Sequence, residues 1–197
     1  MNVLEKAIIF AVNAHEGAYR KNGKTPYILH PMEVASIAGT MTDEIEVLAA
    51  AVLHDTVEDT AVTPEEIEKN FGKRVAELVS SETENKRKDL PSAESWQIRK
   101  IESLEKMKAA EDINVKILWL SDKLSNVRSI YRLQMEKGAD LWRIFNQKDP
   151  AKQAWYYRTV AEYTGILSHT EAWREYDALV TKIFQEKNNN DGSNLQQ

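Results

Sequence analysis

The sequence contains no cysteine, no long apolar run and no extended block of basic residues. In 197 residues the absence of cysteine excludes disulfides and a thiolate zinc site. No apolar stretch approaches the roughly 18 residues that a membrane helix needs, and the chain starts in an amphipathic pattern without the features of a signal peptide. These absences predict a cytoplasmic protein with no membrane partner.

The charge balance is acidic, with 31 acidic and 26 basic residues and a net charge of −5. Because nonspecific binding to nucleic acid depends on clustered cations, this balance argues against nucleic acid as a partner. It is compatible with a small anionic ligand held by a few local cations. A hydrophobic content of 42% is enough for a normal globular core.

Apolar residues recur with helical periodicity along most of the chain, and we find no alternating strand pattern, internal repeat or interdomain linker. This pattern predicts an all-α fold, a single bundle of about eight to ten helices. We expect one domain over residues 1–187 and a disordered polar tail over 188–197. The charged, aperiodic stretch 82–95 is interpreted as a mobile loop that could cover a site. Helices are predicted over 3–16, from His30-Pro31, over 45–53, from Thr63-Pro64, over 96–110 and 112–133, and from Asp149-Pro150 and Thr170-Glu171.

The strongest functional signal is a run of ionisable side chains that follows the buried apolar segment 45–53. If the helix continues, His54, Asp55, Glu58 and Asp59 have i, i+3 and i, i+4 spacings and share one face. Three acids so close together repel one another unless a cation lies among them, and His and Asp are ordinary ligands of divalent metals. The alternative interpretation is a polar strip at a helix end.

Two further positions resemble ligands. His30 precedes a proline at a helix start, where it could equally be a cap or surface residue. Asp122 interrupts the buried stretch of a long helix, with Asn126 one turn later and Ser129 a further turn round. An exposed Asp122–Lys123 pair is the alternative, although the flanking apolar residues favour burial.

A loop between the first two predicted helices carries the cations Arg20, Lys21 and Lys24. Asn-Gly and Thr-Pro pairs indicate that it is a loop. A charged loop is usually only solvated, so alone it is weak evidence for phosphate binding.

Four segments in this order resemble a known family. His30, then His54-Asp55, then Asp122, in helical surroundings, are similar to the HD phosphohydrolase superfamily. The closer resemblance is to the hydrolase domain of RelA/SpoT-type alarmone enzymes, especially their small free-standing hydrolases, and it covers about residues 4–133. The chain is too short for that family's synthetase and regulatory domains. The segments that carry it are HEGAYRKNGKTPYILHP (15–31), LHDTVEDT (53–60), FG (71–72) and LSDKLSNVR (120–128).

The resemblance implies a metal-dependent enzyme that removes the 3′-pyrophosphate of (p)ppGpp to give GDP or GTP. It implies one divalent ion, usually Mn²⁺, and a small nucleotide as substrate. Carried over by position, the metal ligands are His30, His54, Asp55 and Asp122, the catalytic acids are Glu58 and Asp59, and the nucleotide contacts are Arg20, Lys21, Asn126 and Ser129.

The sequence also departs from the family pattern. Trp119 and Ser121 stand where Lys and Ala are frequent, and Glu84 replaces the Lys of a Thr-Lys pair. Within the same chemistry, another nucleotide such as NADPH or a nucleoside phosphate is an alternative substrate. A nucleotide-binding module without catalysis would be expected to show a broken ligand set. A plain helical interaction protein would have the four ligand positions scattered in space.

Overall fold

The computed structural model describes residues 1–21, 23–87 and 89–185, and within these ranges the chain forms ten α-helices. Two short 3-10 helices, Gly138–Ile144 and Gly165–Leu167, join the last three α-helices, and an isolated bridge pairs Tyr19 with Pro26. The prediction of an all-α fold is confirmed. The α-helices are α1 (Val3–Ala14), α2 (Leu29–Ala38), α3 (Ile45–Leu53), α4 (Thr56–Asp59), α5 (Pro64–Phe71), α6 (Lys73–Glu82), α7 (Ser92–Ala109), α8 (Ile113–Lys137), α9 (Pro150–Tyr163) and α10 (Glu171–Phe184).

Helix α3 is the central element of the fold. Val47 and every residue from Ala49 to Leu53 are fully buried. A helix that is apolar all round must be covered on all sides, and α1, α2, α6 and α8 pack around this one. Its three consecutive alanines keep the helix thin. The C-terminal end of α3 therefore lies in the interior, between α2 and α8.

Helix α8 forms the other long support of the core. Its residues from Ile117 to Ser125 are buried, and it packs against α2, α6 and α10. The Asp112 side chain caps its first turn by accepting a hydrogen bond from the Asn114 N–H. The helix runs on to Lys137, beyond the predicted end at 133, and stops at Gly138, whose φ of 58° favours glycine.

The predicted helix starts at Thr63, Asp149 and Thr170 are confirmed. Thr63 forms a capping box with Glu66, and a proline occupies the first turn of both α5 and α9. Asp149 accepts from the Ala151 N–H, and Thr170 accepts from the Trp173 N–H. These boundaries are predictable because capping chemistry is local.

The boundaries of the charged loop predicted at 82–95 are wrong. Helix α6 includes Glu82, and α7 begins at Ser92, so the connection is shorter at both ends. Ser95 and Trp96 are buried, and their packing extends α7 into a stretch whose composition is that of a loop. The predicted tail at 188–197 lies outside the described residues, and the domain limit at 187 stays a prediction. No helix in the described ranges is long and apolar enough to cross a membrane.

Candidate metal centre and active site

Helix α3 ends at Leu53, and the short turn that follows it places two of the candidate ligands. The helix does not continue through them: His54 and Asp55 form a turn, and the one-turn helix α4 follows. The Thr56 hydroxyl donates to the Leu53 carbonyl at 2.6 Å, which satisfies one carbonyl at the helix end. The negative end of the α3 dipole favours a cation at this point.

Side chains from three parts of the fold meet beyond this turn. His30 comes from the first turn of α2, His54 and Asp55 from the turn after α3, and Asp122 from the middle of α8. The Nε2 atom of His30 lies 3.0 Å from Asp122 Oδ1 and 3.5 Å from Asp55 Oδ2. The Nε2 atom of His54 lies 3.0 Å from Asp55 Oδ2 and 3.6 Å from Asp122 Oδ1. The ligand atoms that His30, His54 and Asp122 offer all lie within 4.8 Å of one another.

The far nitrogen of each imidazole is anchored, which orients the near one. His54 Nδ1 lies 2.8 Å from the Ala51 carbonyl, an acceptor, so Nδ1 carries the hydrogen. The Ser125 hydroxyl donates to Glu33 at 2.8 Å and is therefore left to accept from His30 Nδ1, also at 2.8 Å. Both rings thus turn Nε2 toward the carboxylates, the arrangement found at histidine metal ligands.

Two observations test whether these residues fit a metal. His54 Nε2 is buried and has no partner in hydrogen-bonding geometry among the described residues, although Asp55 Oδ2 is near. The donor set is two imidazole nitrogens and two carboxylates, which suits a divalent ion of the Mn²⁺ kind. A buried polar atom without a partner is costly, and coordination would remove that cost, so the residues fit.

The electrostatics of the cluster also call for a positive charge. Burial alone would raise the pKa of Asp122, but Lys123 and the two histidines hold it well below its ordinary value. Burial likewise opposes the ionisation of Asp55, yet His54 and then His30 lower the pKa of that carboxyl. Burial acts to lower the pKa of His54, but Asp55 and Asp122 raise it well above the ordinary value. A proton or a metal ion can supply this positive charge, so metal binding here is expected to release protons.

The Ser125 hydroxyl offers a first test of the centre. We expect Ser125→Ala to weaken Mn²⁺ binding by about 10- to 100-fold, because the hydrogen bond that orients the His30 ring is lost. The measurement is a titration in which the free ion is followed by electron paramagnetic resonance. Ser121→Ala is the matched control, since the buried Ser121 hydroxyl donates to the Ile117 carbonyl of its own helix at 2.7 Å. Equal affinities for the two variants would contradict the orienting role.

The acid pair Glu58 and Asp59 lies on α4, next to the ligand cluster. Glu58 Oε2 accepts from the Glu84 N–H at 3.1 Å. Burial, followed by the charges of Asp55 and Glu84, raises the pKa of the Glu58 carboxyl. Lys86 forms an ion pair with Asp59, and its Nζ lies 3.7 Å from Glu58 Oε1. Both carboxylates are therefore held in place, one by a backbone donor and one by a cation.

Two of the residues proposed to contact nucleotide are connected to the same cluster. Arg20 Nη2 donates to Asn126 Oδ1 at 2.9 Å, and Asn126 Nδ2 donates to Asp122 Oδ1 at 2.7 Å. Lys21 is exposed, with its Nζ 5.7 Å from the centre of the Phe145 ring. The hydrogen bond that Ser129 makes in the described part of the chain is with Arg132, at 3.4 Å, so the structure does not join Ser129 to this chain of contacts.

The sequence interpretation did not assign roles to Tyr27 and Lys86, although both contact the acid pair. The Tyr27 hydroxyl lies 2.6 Å from Asp55 Oδ2 and 3.0 Å from Asp59 Oδ2. Two features of the sequence could have identified them as candidates. Tyr27 lies three residues before the candidate ligand His30, and Lys86 lies in the charged loop.

The residues that depart from the family pattern lie in two different parts of the structure. Trp119 and Ser121 are buried within α8. The Glu84 side chain points to α7, where it pairs with Arg99 at 2.8 Å and Lys100 at 2.6 Å. Because the N–H of the same residue holds Glu58, the ion pairs of Glu84 anchor the loop that borders the acid pair.

This all-helical arrangement, with its histidine and aspartate cluster, places the chain in a known class. The HD domain family model matches residues 7–146, and the chain belongs to that family.

Individual relatives narrow the comparison. The chain is 39% identical over 137 residues, 68% of its length, to the bifunctional (p)ppGpp synthase/hydrolase SpoT of Escherichia coli. It spans 18% or 19% of the length of such curated relatives. A crystal structure of a Listeria monocytogenes protein is 34% identical, with a TM-score of 0.69, and the match covers 82% of this chain and 97% of that one. A protein described as a metazoan orthologue of SpoT that hydrolyses ppGpp is 26% identical, with a TM-score of 0.72, covering 92% of this chain and 96% of that one.

Proposed function

We propose that this protein is a metal-dependent phosphohydrolase that removes the 3′-pyrophosphate of (p)ppGpp, leaving GDP or GTP. The observation that carries the proposal is the convergence of His30, His54, Asp55 and Asp122 beside the acid pair on α4. The similarity to SpoT and to the metazoan ppGpp hydrolase supports the choice of substrate.

The four converging side chains would hold one divalent ion, for which Mn²⁺ is our choice. Such an ion supplies Lewis acidity: it polarises a phosphoryl oxygen and lowers the pKa of a bound water. The protein's own part is to present two neutral imidazole nitrogens and two ionised carboxylates in a buried pocket. The anchors at Ser125 and the Ala51 carbonyl hold both rings with Nε2 toward the carboxylates, and each imidazole would be neutral once the ion has replaced its Nε2 proton.

Glu58 and Asp59 are proposed to handle the protons of hydrolysis. In the reaction a water oxygen bonds to the phosphorus, the bond from phosphorus to the ribose 3′ oxygen breaks, and that oxygen takes up a proton. One carboxylate accepts the proton of the attacking water, and the other can return a proton to the leaving oxygen. Burial and the neighbouring charges of Asp55 and Glu84 raise the pKa of Glu58, which makes it a stronger base than an ordinary carboxylate.

Cations of the loop before α2 are proposed to bind the phosphates. Two diphosphates carry more negative charge than one divalent ion neutralises, so further cations are needed. Arg20, already directed toward Asn126, and Lys21 supply them from the loop before α2. Arg20 could instead stack on the base, as a guanidinium readily does.

The expected result for substrate choice is Mn²⁺-dependent release of pyrophosphate from ppGpp, with GDP as the other product. GTP, NADPH and simple 5′-monophosphates should be poor substrates, because they lack the 3′ diphosphate that carries the scissile bond. The measurement is chromatographic product analysis for the four substrates with the purified protein. Asp55→Ala controls for a contaminating phosphatase, since loss of a metal ligand should abolish all activity.

Three outcomes would change the proposal in different ways. Activity on NADPH or monophosphates with none on ppGpp would retain the phosphohydrolase and discard the alarmone. No activity on any nucleotide, with Mn²⁺ demonstrably bound, would favour a nucleotide-binding module. Activity that persists in the Asp55→Ala protein would assign the hydrolysis to a contaminant.

A further inference from the structure

One hydroxyl group lies between the proposed metal centre and the proposed catalytic acids. Tyr27 Oη is 2.6 Å from Asp55 Oδ2 and 3.0 Å from Asp59 Oδ2. The Asp55 oxygen that it touches is the same one that faces the imidazoles, 3.0 Å from His54 Nε2 and 3.5 Å from His30 Nε2. Tyr27 therefore contacts the imidazole-facing oxygen of Asp55 and the side chain of Asp59.

The position of this hydroxyl is set by the packing of its ring. The ring centre lies 4.9 Å from that of His15 and 5.9 Å from that of His30, and the Arg20 guanidinium lies 5.6 Å above it. The backbone is held as well: the Tyr27 N–H donates to the Ala18 carbonyl, and the Tyr27 carbonyl accepts from the His30 N–H, each at 2.9 Å. The phenol thus reaches the two carboxylates from a backbone position that is held in place just before α2.

A phenol hydroxyl in this position reduces the electrostatic repulsion between the two carboxylates. Two carboxylates close together repel each other, and a neutral donor between them lowers that repulsion without neutralising either one. With an ordinary pKa of about 10, a tyrosine keeps its proton at neutral pH. Its hydroxyl has one hydrogen to donate and lone pairs to accept with. It can therefore bond both carboxylates whether the hydrogen is shared between them or one carboxyl is protonated.

We propose that Tyr27 is a positioning residue that couples the metal ligand Asp55 to the catalytic acid Asp59 and so sets the placement of that acid relative to the metal. This inference rests on the proposed function. It goes further by assigning a role to a side chain outside the ligand set and the acid pair. Hydrogen-bonded partners of metal ligands commonly affect affinity or activity by about 10- to 100-fold, which gives the size of effect to expect.

The test compares Tyr27→Phe with Tyr19→Phe. Tyr27→Phe removes only the hydroxyl and keeps the ring that packs on His15. Tyr19 is the matched control, because it lies in the same loop and its side chain is largely exposed. We expect Tyr27→Phe to lower kcat on ppGpp by roughly 10- to 100-fold, to weaken Mn²⁺ binding and to leave KM and the thermal unfolding temperature close to the wild-type values. Tyr19→Phe should change none of these quantities.

A double-mutant cycle with Asp59→Asn separates coupling from a general structural effect. If Tyr27 acts through Asp59, adding Tyr27→Phe to Asp59→Asn should lower kcat by no more than about twofold. The same factor in both backgrounds, or a wild-type kcat and Mn²⁺ affinity in Tyr27→Phe, would overturn the proposal. A fall in unfolding temperature with kcat and KM affected alike would assign Tyr27 a merely structural role.

The metal titration keeps this test independent of the substrate. If the wild-type protein binds Mn²⁺ but hydrolyses no ppGpp, the proposed function fails. The comparison of Mn²⁺ affinities then decides whether Tyr27 supports Asp55: weaker binding in Tyr27→Phe alone upholds the link, and equal binding in both tyrosine variants refutes it. A wild-type protein that binds no Mn²⁺ overturns both inferences.

Discussion

Replacing either Glu58 or Asp59 with alanine is expected to lower ppGpp turnover by about 10²- to 10⁴-fold, the usual contribution of a general acid or base. Neither residue is needed to complete the four-ligand cluster, so Mn²⁺ affinity should stay close to that of the wild-type protein. The measurements are kcat on ppGpp and Mn²⁺ titration for each variant. Glu68→Ala, which removes an exposed carboxylate from α5, should leave both quantities unchanged.

Isosteric variants make the interpretation sharper. Asp59→Ala leaves the Lys86 ammonium without the carboxylate that pairs with it, whereas Asp59→Asn retains a hydrogen-bond acceptor. Glu58→Gln likewise keeps an acceptor for the Glu84 N–H. If proton transfer is the role of the pair, the isosteric variants should lose as much activity as the alanine variants. Near-wild-type turnover in both single alanine variants would refute the assignment.

The candidate site was predictable where a charge interrupts an apolar run. His54, Asp55 and Asp122 stand out because burying an ionisable group is costly unless it is compensated, and the hydrophobic pattern around them predicts burial without any knowledge of the fold. That these residues converge on one point could not be predicted from the hydrophobic pattern. The segments around residues 30, 54 and 122 are brought together by the packing of α2 and α8 on α3, which periodicity alone does not show.

Other features depended on tertiary contacts and were missed or misplaced. The spacing argument for the acid pair was conditional on a continuation of α3, and in the structure α3 ends at Leu53 and α4 starts at Thr56. Tyr27 looks like an ordinary loop aromatic until Asp55 and Asp59 are placed beside it. The start of α7 at Ser92 was hidden by charged composition, and the burial of Ser95 within this first turn is a tertiary contact that the composition does not show.

A second buried cluster, on the other side of Asp122, was also invisible in the sequence. Both carboxylate oxygens of Glu82, at the end of α6, are buried without a hydrogen-bond partner in the described part of the chain. The Lys123 ammonium lies 3.5 Å from Glu82 and also pairs with Asp122. It lies 4.7 Å from the centre of the Trp119 ring, at one of the positions that depart from the family pattern. One buried cation thus faces two buried carboxyl groups.

The Lys123 ammonium compensates the negative charge of Asp122, so we expect Glu82 to be the carboxyl group that stays neutral. Burial, with the charge of Asp122 added to it, raises the pKa of Glu82 from the ordinary 4.5 to about 8, against the opposing effects of Lys123 and His54. A carboxyl group whose pKa is higher in the folded than in the unfolded state makes its full contribution to the free energy of unfolding at pH values below its pKa in the unfolded state. That stability is lost as the pH rises toward the folded pKa, at about 1.4 kcal/mol per pH unit. The window for Glu82 therefore runs from pH 4.5 to about 8.

The prediction is that Glu82→Gln stabilises the protein at alkaline pH. Glutamine resembles the neutral acid but cannot ionise, so the free energies of unfolding of the two proteins should be similar near pH 5. They should separate in favour of the variant, by a few kcal/mol, near pH 9. Urea unfolding measured at intervals across this range tests it, with the exposed Glu77→Gln on the same helix as the control. If Glu82 is instead ionised and paired with Lys123 throughout, removing its charge leaves a buried ammonium short of a partner. Glu82→Gln would then destabilise the protein at every pH, which is a result of the opposite sign.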